Sequence, residues 1–262
     1  MLFRSRRDRT REDPQLSFRC NICGRQASVR RTQLGREIPS CNRCGSTVRF
    51  RSIVHVLSLE LFGESLSLPD FPVRKEIRGL GMSDWDGYAA GFAEKFDYLN
   101  TYLHREPKFD ITEVPASMEA TLDFVISSDV LEHVPPPISI AFQNLRRVLK
   151  PEGVLILTVP YTKANETVEH FPELHQYKLT DSEGRQILTN RTREGIVQHF
   201  DDLVFHGGEG ATLEMRVFSE SSLLSGLQHA GFEKVRIHRA PDFHHGIYWN
   251  EEWSLPISAR AS

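Results

Sequence analysis

The chain has 262 residues, of which 39% are hydrophobic and 26% charged, with a formal net charge of −3. That length accommodates one full α/β domain plus a small extra module, and the composition is that of a globular chain. No stretch approaches the roughly 18 apolar residues of a membrane span, and the N-terminus lacks the apolar core of a signal peptide, so no membrane partner is expected and the cytoplasm is the expected compartment.

Charge is unevenly spread. Residues 1–55 hold 13 arginines, no lysine and four acids, whereas the remainder holds 19 bases and 31 acids. A basic head on an acidic body reads as contact with nucleic acid or another polyanion, as a solvated arginine-rich tail around a metal knuckle, or as docking of the head on its own acidic domain. Residues 1–16, arginine-rich and containing Pro14, read as a disordered tail. Residues 17–50 hold all four cysteines, as Cys20-Asn-Ile-Cys23 and Cys41-Asn-Arg-Cys44. Two such pairs match the knuckles of a tetrahedral zinc site, with Gly24 and Gly45 where each turn favours a positive φ. A segment this short buries too little core to fold unaided. A reducing compartment disfavours two disulfides, and zinc is preferred over a rubredoxin-like iron site. Four thiolates close the coordination shell, so this zinc ribbon is structural rather than catalytic.

Residues 51–72 read as helix and linker. Apolar periodicity predicts a helix from Val48 to Phe62, stopped by Gly63, and Ser65–Pro72 is linker-like. From residue 73 to 262 strands and helices alternate. Strands are predicted near Glu76–Leu80, Asp97–Tyr102, Lys108–Ile111, Thr121–Ser128, Gly153–Val159, Phe232–Arg239 and Trp253–Ala259. Helices are predicted across Trp85–Phe96, Ile138–Leu149 and Glu220–Ala230. This alternation predicts a mostly parallel sheet covered by helices on both faces, with ligands at the carboxyl ends of its strands. Residues 162–218 form an insertion too long for a simple loop.

Three runs carry the chemistry: Phe124-Val-Ile-Ser-Ser-Asp-Val-Leu-Glu-His-Val134, Leu145-Arg-Arg-Val-Leu-Lys-Pro-Glu-Gly-Val154 and Ile156-Leu-Thr-Val-Pro-Tyr161. Here the chain resembles the class I S-adenosylmethionine (SAM) dependent methyltransferases, over roughly residues 73–258. The resemblance implies a Rossmann-like, mostly parallel seven-stranded sheet with SAM as cofactor. Family members place an acid at the end of the first strand before a glycine-rich loop. This chain has Gly79 in the acid's place, Gly81 at the first glycine and Ser83 at the second. Asn100 stands where the second strand normally ends in the acid that takes the ribose hydroxyls. Asp110 matches the acid near the adenine, and Ser128 and Asp129 complete the implied cofactor set.

The resemblance also bears on the acceptor end. Glu132 and His133 either cap the turn after the fourth strand, or His133 acts as a base. In some members acids and a histidine here hold a divalent metal, for which Asp129, Glu132 and His133 are the candidates. The insertion is expected to close over the acceptor as a lid, with His206, Glu214 and Arg216 lining the closed pocket beside His133. Glu214 and Arg216, two apart, would share one face of an extended segment.

Three functions follow. The leading one is methyl transfer to a small molecule or saccharide-type metabolite. The second is RNA methylation, with Arg4, Arg6, Arg7, Arg30, Arg31, Arg49 and Arg51 gripping phosphates. Only Phe3, Phe18 and Phe50 interleave them, which is thin for base stacking. The third, prompted by the worn glycine loop and the missing ribose acid, is a non-catalytic SAM- or zinc-binding protein.

Overall fold

The computed structural model describes residues 13–182, 184–206 and 212–262. Most of the expected basic tail lies outside them, and Gln15 and Leu16 already belong to a strand. Strands β1 (Gln15–Arg19) and β2 (Gln26–Arg30) form an antiparallel hairpin whose turn carries the first cysteine pair. Both knuckles close alike: the amides of Gly24 and Gly45 donate to the Cys20 and Cys41 carbonyls at 2.8 Å, with φ of 71° and 75°.

Helix α1 (Val48–Phe62) starts on the Thr47 side chain, which accepts the Phe50 amide, and ends at Gly63 in the left-handed conformation, as its sequence predicts. Ile53, Val54, Val56 and Leu57 of α1 are all fully buried. They belong to one apolar cluster that runs from Phe18, Cys20 and Cys41 of the cysteine module to Phe92, Phe124 and Ile156 of the larger domain. The module therefore shares a core with the rest of the chain. A polar clamp reinforces the seam: Asp242 Oδ2 accepts from Ser65 Oγ at 3.0 Å and His245 Nδ1 at 2.7 Å, and His55 Nδ1 lies 3.2 Å away.

The remaining elements in chain order begin with β3 (Arg74–Met82), α2 (Asp86–Lys95), β4 (Phe96–Thr101), β5 (Leu122–Ser128), α3 (Ser139–Val148) and β6 (Leu149–Thr158). The insertion contributes β7 (Tyr161–Thr162), β8 (Val168–Glu169), β9 (Gln176–Ser182), β10 (Arg185–Arg191), β11 (Val197–Phe200), β12 (Phe205–His206), β13 (Thr212–Leu213) and β14 (Arg216–Ser219). Helix α4 (Glu220–His229), β15 (Phe232–Ile237) and β16 (Ile257–Ala261) follow.

The central sheet is Rossmann-like but mixed and six-stranded, ordered β15-β16-β6-β5-β3-β4, rather than seven-stranded. β4, β3, β5 and β6 are parallel, and β16 is antiparallel to both of its neighbours. The strand expected at Lys108–Ile111 survives only as one bridge between Tyr102 and Lys108. Pro107 has no amide to donate, and Asp110 Oδ1 captures the Thr112 amide and hydroxyl at 2.8 and 2.7 Å, turning the backbone out of the ladder. Side-chain alternation feeds two cores: Phe124, Ile126, Val154 and Ile156 face α1 and α2, while Val125, Leu155 and Leu157 face α3 and α4. In the insertion, β9, β10 and β11 make a three-stranded antiparallel sheet over a small core of Phe171, Leu188, Leu213 and Met215. Among the described residues no helix is long and apolar enough to cross a membrane.

Gly79 is paired with Phe124 across β3 and β5, and a Cβ there would overlap the Phe124 ring. That ring in turn stacks on Tyr98. Gly79→Ala is therefore an overpacking substitution, expected to cost about 1–3 kcal/mol. It should lower the urea midpoint with an unchanged slope, and a wild-type midpoint would show that the Phe124 ring has room to move.

Candidate active site

β3 lies between β4 and β5, so strand order reverses at its carboxyl end, where open α/β sheets bind ligands. A cavity of about 1300 Å³ opens there. Its floor is Met82 and Ser83 at the end of β3, Thr101 and Tyr102 at the end of β4, and Ser128 and Asp129 at the end of β5. The insertion roofs one side through residues such as Tyr177, Leu188, Phe205 and His206, and the cysteine module walls the other through Arg36, Glu37, Arg49 and Phe50.

Three groups of side chains shape it. After β3, Asp84 is buried and accepts hydrogen bonds from the Tyr88 hydroxyl at 2.8 Å and the Tyr98 hydroxyl. Burial raises its carboxyl to about 7 despite those bonds. After β5, Asp129 adopts φ 53° and both its oxygens take the Arg36 fork, at 2.9 and 2.7 Å. Burial pushes the Asp129 carboxyl up, but Arg36 and Arg49 outweigh it and hold the group below the ordinary carboxylate range. At the far end, His133 Nδ1–H donates to the Leu213 carbonyl at 3.0 Å, and the His133 and His206 ring centroids lie 5.6 Å apart. Burial lowers the His133 imidazole below its usual value.

Residues 72–237 match the family model described as a methyltransferase domain. The chain belongs to that family. It is a methyltransferase, hence a transferase. No curated protein matches the chain. Solved structures resemble it at the level of the fold. One is 1,6-didemethyltoxoflavin-N1-methyltransferase of Burkholderia thailandensis, with 1,6-didemethyltoxoflavin and S-adenosylhomocysteine bound (13% identity, TM-score 0.44, covering 80% of this chain and 76% of that one). Another is CalS10, an amino pentose methyltransferase of Micromonospora echinaspora with SAM bound (14%, 0.44, 83% and 93%). A third is the sugar N-methyltransferase KedS8 of Streptoalloteichus sp. ATCC 53650 (12%, 0.46, 84% and 88%).

The methyltransferase places its sequence-predicted residues unevenly. Ser83, Asp110, Ser128, Asp129, His133 and His206 line the cavity. Gly79 does not, because it makes room for Phe124. Gly81 does not either: a Cβ there would collide with the Tyr98 hydroxyl and the Asp84 carboxylate, so this glycine serves the buried acid. Asn100 is spent on the loop, accepting the Asp84 amide at 2.9 Å and donating to the Asp84 carbonyl at 2.8 Å. It is not turned to a ligand. Glu214 lies behind His206, receiving His170 Nε2–H at 2.9 Å, with His206 Nε2 3.1 Å from its other oxygen. Arg216 is fully buried and ties the turn after β5 to β8 through Glu169 at 2.7 Å and the Leu131 and Val134 carbonyls at 2.8 and 2.6 Å. Of the three expected lid residues only His206 reaches the cavity wall. The metal set Asp129, Glu132 and His133 is also broken, since Arg36 occupies Asp129; Glu132, His133 and His206 instead bring ligand atoms within 4.8 Å of one another.

Sequence reasoning missed Arg36, Glu37, Asp84 and Tyr98 as site-shaping residues. The head's excess of arginine was the one visible signal for the first two. Glu132 sits 1% exposed, and among the described residues neither of its carboxylate oxygens has a hydrogen-bond partner. Burial, then the Asp129 charge, raises its carboxyl from 4.5 to about 8. A group raised on folding binds its proton more tightly in the native state, so its contribution is complete below 4.5 and is lost as pH rises through about 8. Urea midpoints of wild type should fall between pH 5 and pH 8.5 more steeply than those of Glu132→Gln. Parallel pH profiles would mean that Glu132 is ionised and compensated in the native protein.

Proposed function

We propose that this methyltransferase moves the methyl group of SAM to a small-molecule or saccharide-type acceptor held between the donor pocket and the insertion. The observation carrying this reading is that one cavity is lined both by Ser83 and Asp110 and by His133 and His206. Its residues fit the donor: Asp110 Oδ1 is engaged by Thr112 while Oδ2 remains for an adenine amino group, and Met82, Phe109 and Ile111 supply apolar lining. The sulfonium of SAM supplies an already activated methyl group. The protein's part is to align the acceptor and exclude water, which the roof over the cavity serves.

His133 is suited to take the acceptor's proton. Its Nδ1–H is fixed on the Leu213 carbonyl, which leaves the Nε2 lone pair free, and burial keeps the ring neutral near pH 7. Glu214, held between His170 and His206, orients the second imidazole at the wall. Glu214 and Arg216 support this end from behind rather than touching substrate.

The inward-facing arginines count against RNA. Arg49 and Arg51, two of the proposed phosphate contacts, are turned into the protein. Arg51 donates to Ser40 Oγ at 2.8 Å and the Gly246 carbonyl at 2.9 Å. Arg30 and Arg31 are exposed, Arg31 lying over the Tyr248 ring at 4.5 Å, and Arg4, Arg6 and Arg7 fall outside the described residues.

The module itself, we infer, is held by one zinc ion. The free thiols of Cys20 and Cys44 are 3.7 Å apart and those of Cys23 and Cys41 3.8 Å apart, and a tetrahedron with bonds of about 2.3 Å has edges of about 3.8 Å. Burial pulls the Arg51 guanidinium beside them below its ordinary range, and the charge of all four cysteines works against that shift, so a buried arginine here suits a four-thiolate centre of net negative charge. Elemental analysis of the reduced protein should return about one zinc per chain; iron, or quantitative disulfides, would exclude this centre.

For the base, His133→Ala should lower kcat about 10²- to 10⁴-fold with S-adenosylhomocysteine affinity retained. The wild-type kcat should rise with pH through an apparent pKa below the ordinary histidine value. Unchanged turnover in the variant would leave proton removal to water.

A further inference from the structure

Four charged side chains of alternating sign meet where the cysteine module touches the sheet. Arg36 grips Asp129, Arg49 Nε lies 3.3 Å from Asp129 Oδ2 while Arg49 Nη1 donates to Ser128 Oγ, and Glu37 bonds both arginines, taking Arg49 Nε and Nη2 at 2.7 and 2.9 Å. Three of the four belong to the module. The arginine side chains are 23% and 14% exposed, whereas Glu37 is 50% exposed. Arg49 is further fixed over the Phe50 ring at 4.7 Å, and Phe50 stacks on Trp85 with planes 10° apart. Among the described residues lining the cavity, the only other fixed cation is Lys108, which is exposed.

Paired guanidiniums in a partly dry wall recognise planar carboxylates. Asp129 engages the arginines from the sheet and is held there, since its side chain is only 20% exposed and also accepts Thr158 Oγ1 at 3.1 Å. Glu37 engages them with a half-exposed side chain, and it is the carboxylate that a ligand's own carboxylate can replace. Once displaced, Glu37 remains close enough to meet an ammonium. The matching chemistry is a zwitterionic α-amino-acid group, which SAM and its demethylated product carry at the end opposite adenine. Asp110 marks the adenine end of the same cavity.

We propose that Arg36, Glu37 and Arg49 form the amino-acid subsite of the donor pocket, so that the cysteine module completes the cofactor site. This rests on the SAM reading above and extends it to a specific part of the molecule. Arg36 and Arg49 take the carboxylate, and Glu37 takes the ammonium.

The test is calorimetry of the full chain with two ligands, S-adenosylhomocysteine and 5′-methylthioadenosine, which keeps the nucleoside and thioether but lacks the amino-acid group. Arg36→Met and Arg49→Met should each weaken S-adenosylhomocysteine about 10- to 100-fold and leave methylthioadenosine at wild-type affinity. Arg49→Lys, which keeps the charge but not the fork, should fall between. Retained methylthioadenosine binding shows that a variant is folded. Equal losses for both ligands, or no loss for either, would overturn the subsite. A wild-type protein that binds neither ligand would remove the SAM reading itself.

Discussion

Asp129 follows the central strand β5 in a left-handed turn with its carboxylate largely shielded from water, and much of the sheet's carboxyl edge is arranged to offset that charge. Burying a carboxylate alone raises its pKa or expels it to solvent. Here Arg36 and Arg49 reach it from a separate module, so the module must dock. Once docked, α1 buries its apolar residues against β6 and the module becomes continuous with the core. The pair is part-buried, at 23% and 20% side-chain exposure, so it ties the module to the sheet at the edge of the cavity. In this contact two arginines of the basic head meet one acid of the acidic body.

A second constraint lies one strand away. Two glycines within β3 serve an aromatic layer: Gly79 admits the Phe124 ring, and Gly81 admits Asp84 with its two tyrosine donors. In the usual methyltransferase loop those positions let backbone approach the cofactor. In this chain the space is filled by a buried acid, and Asn100 staples the loop instead of presenting an acid to ribose. The degenerate motif is thus a repacked loop with its own internal logic, and the cavity beyond it is intact.

The acceptor end follows from how the insertion returns to the sheet. Arg216 fastens the turn after β5 to β8 and β14, and Glu214 holds two histidines in register. These buried polar contacts position His133 and His206 at the wall. The side chains that looked most reactive in a linear reading are the ones that hold the site together.

What the sequence determined by itself was local and periodic. The knuckle spacing, the Thr47 and Gly63 ends of α1, and the alternating strands Phe124–Ser128 and Val154–Thr158 are legible because each depends on neighbours within a few residues. The family resemblance was legible too, because Glu132, His133 and the Lys150-Pro-Glu-Gly turn lie in contiguous runs. Only the tertiary structure decided that Arg36 meets Asp129 across 93 positions, that Arg216 faces inward, that Asn100 is occupied, and that β16 runs against its neighbours. Those outcomes depend on which buried charge finds which partner once the chain is compact, and that competition leaves no periodic trace in the sequence.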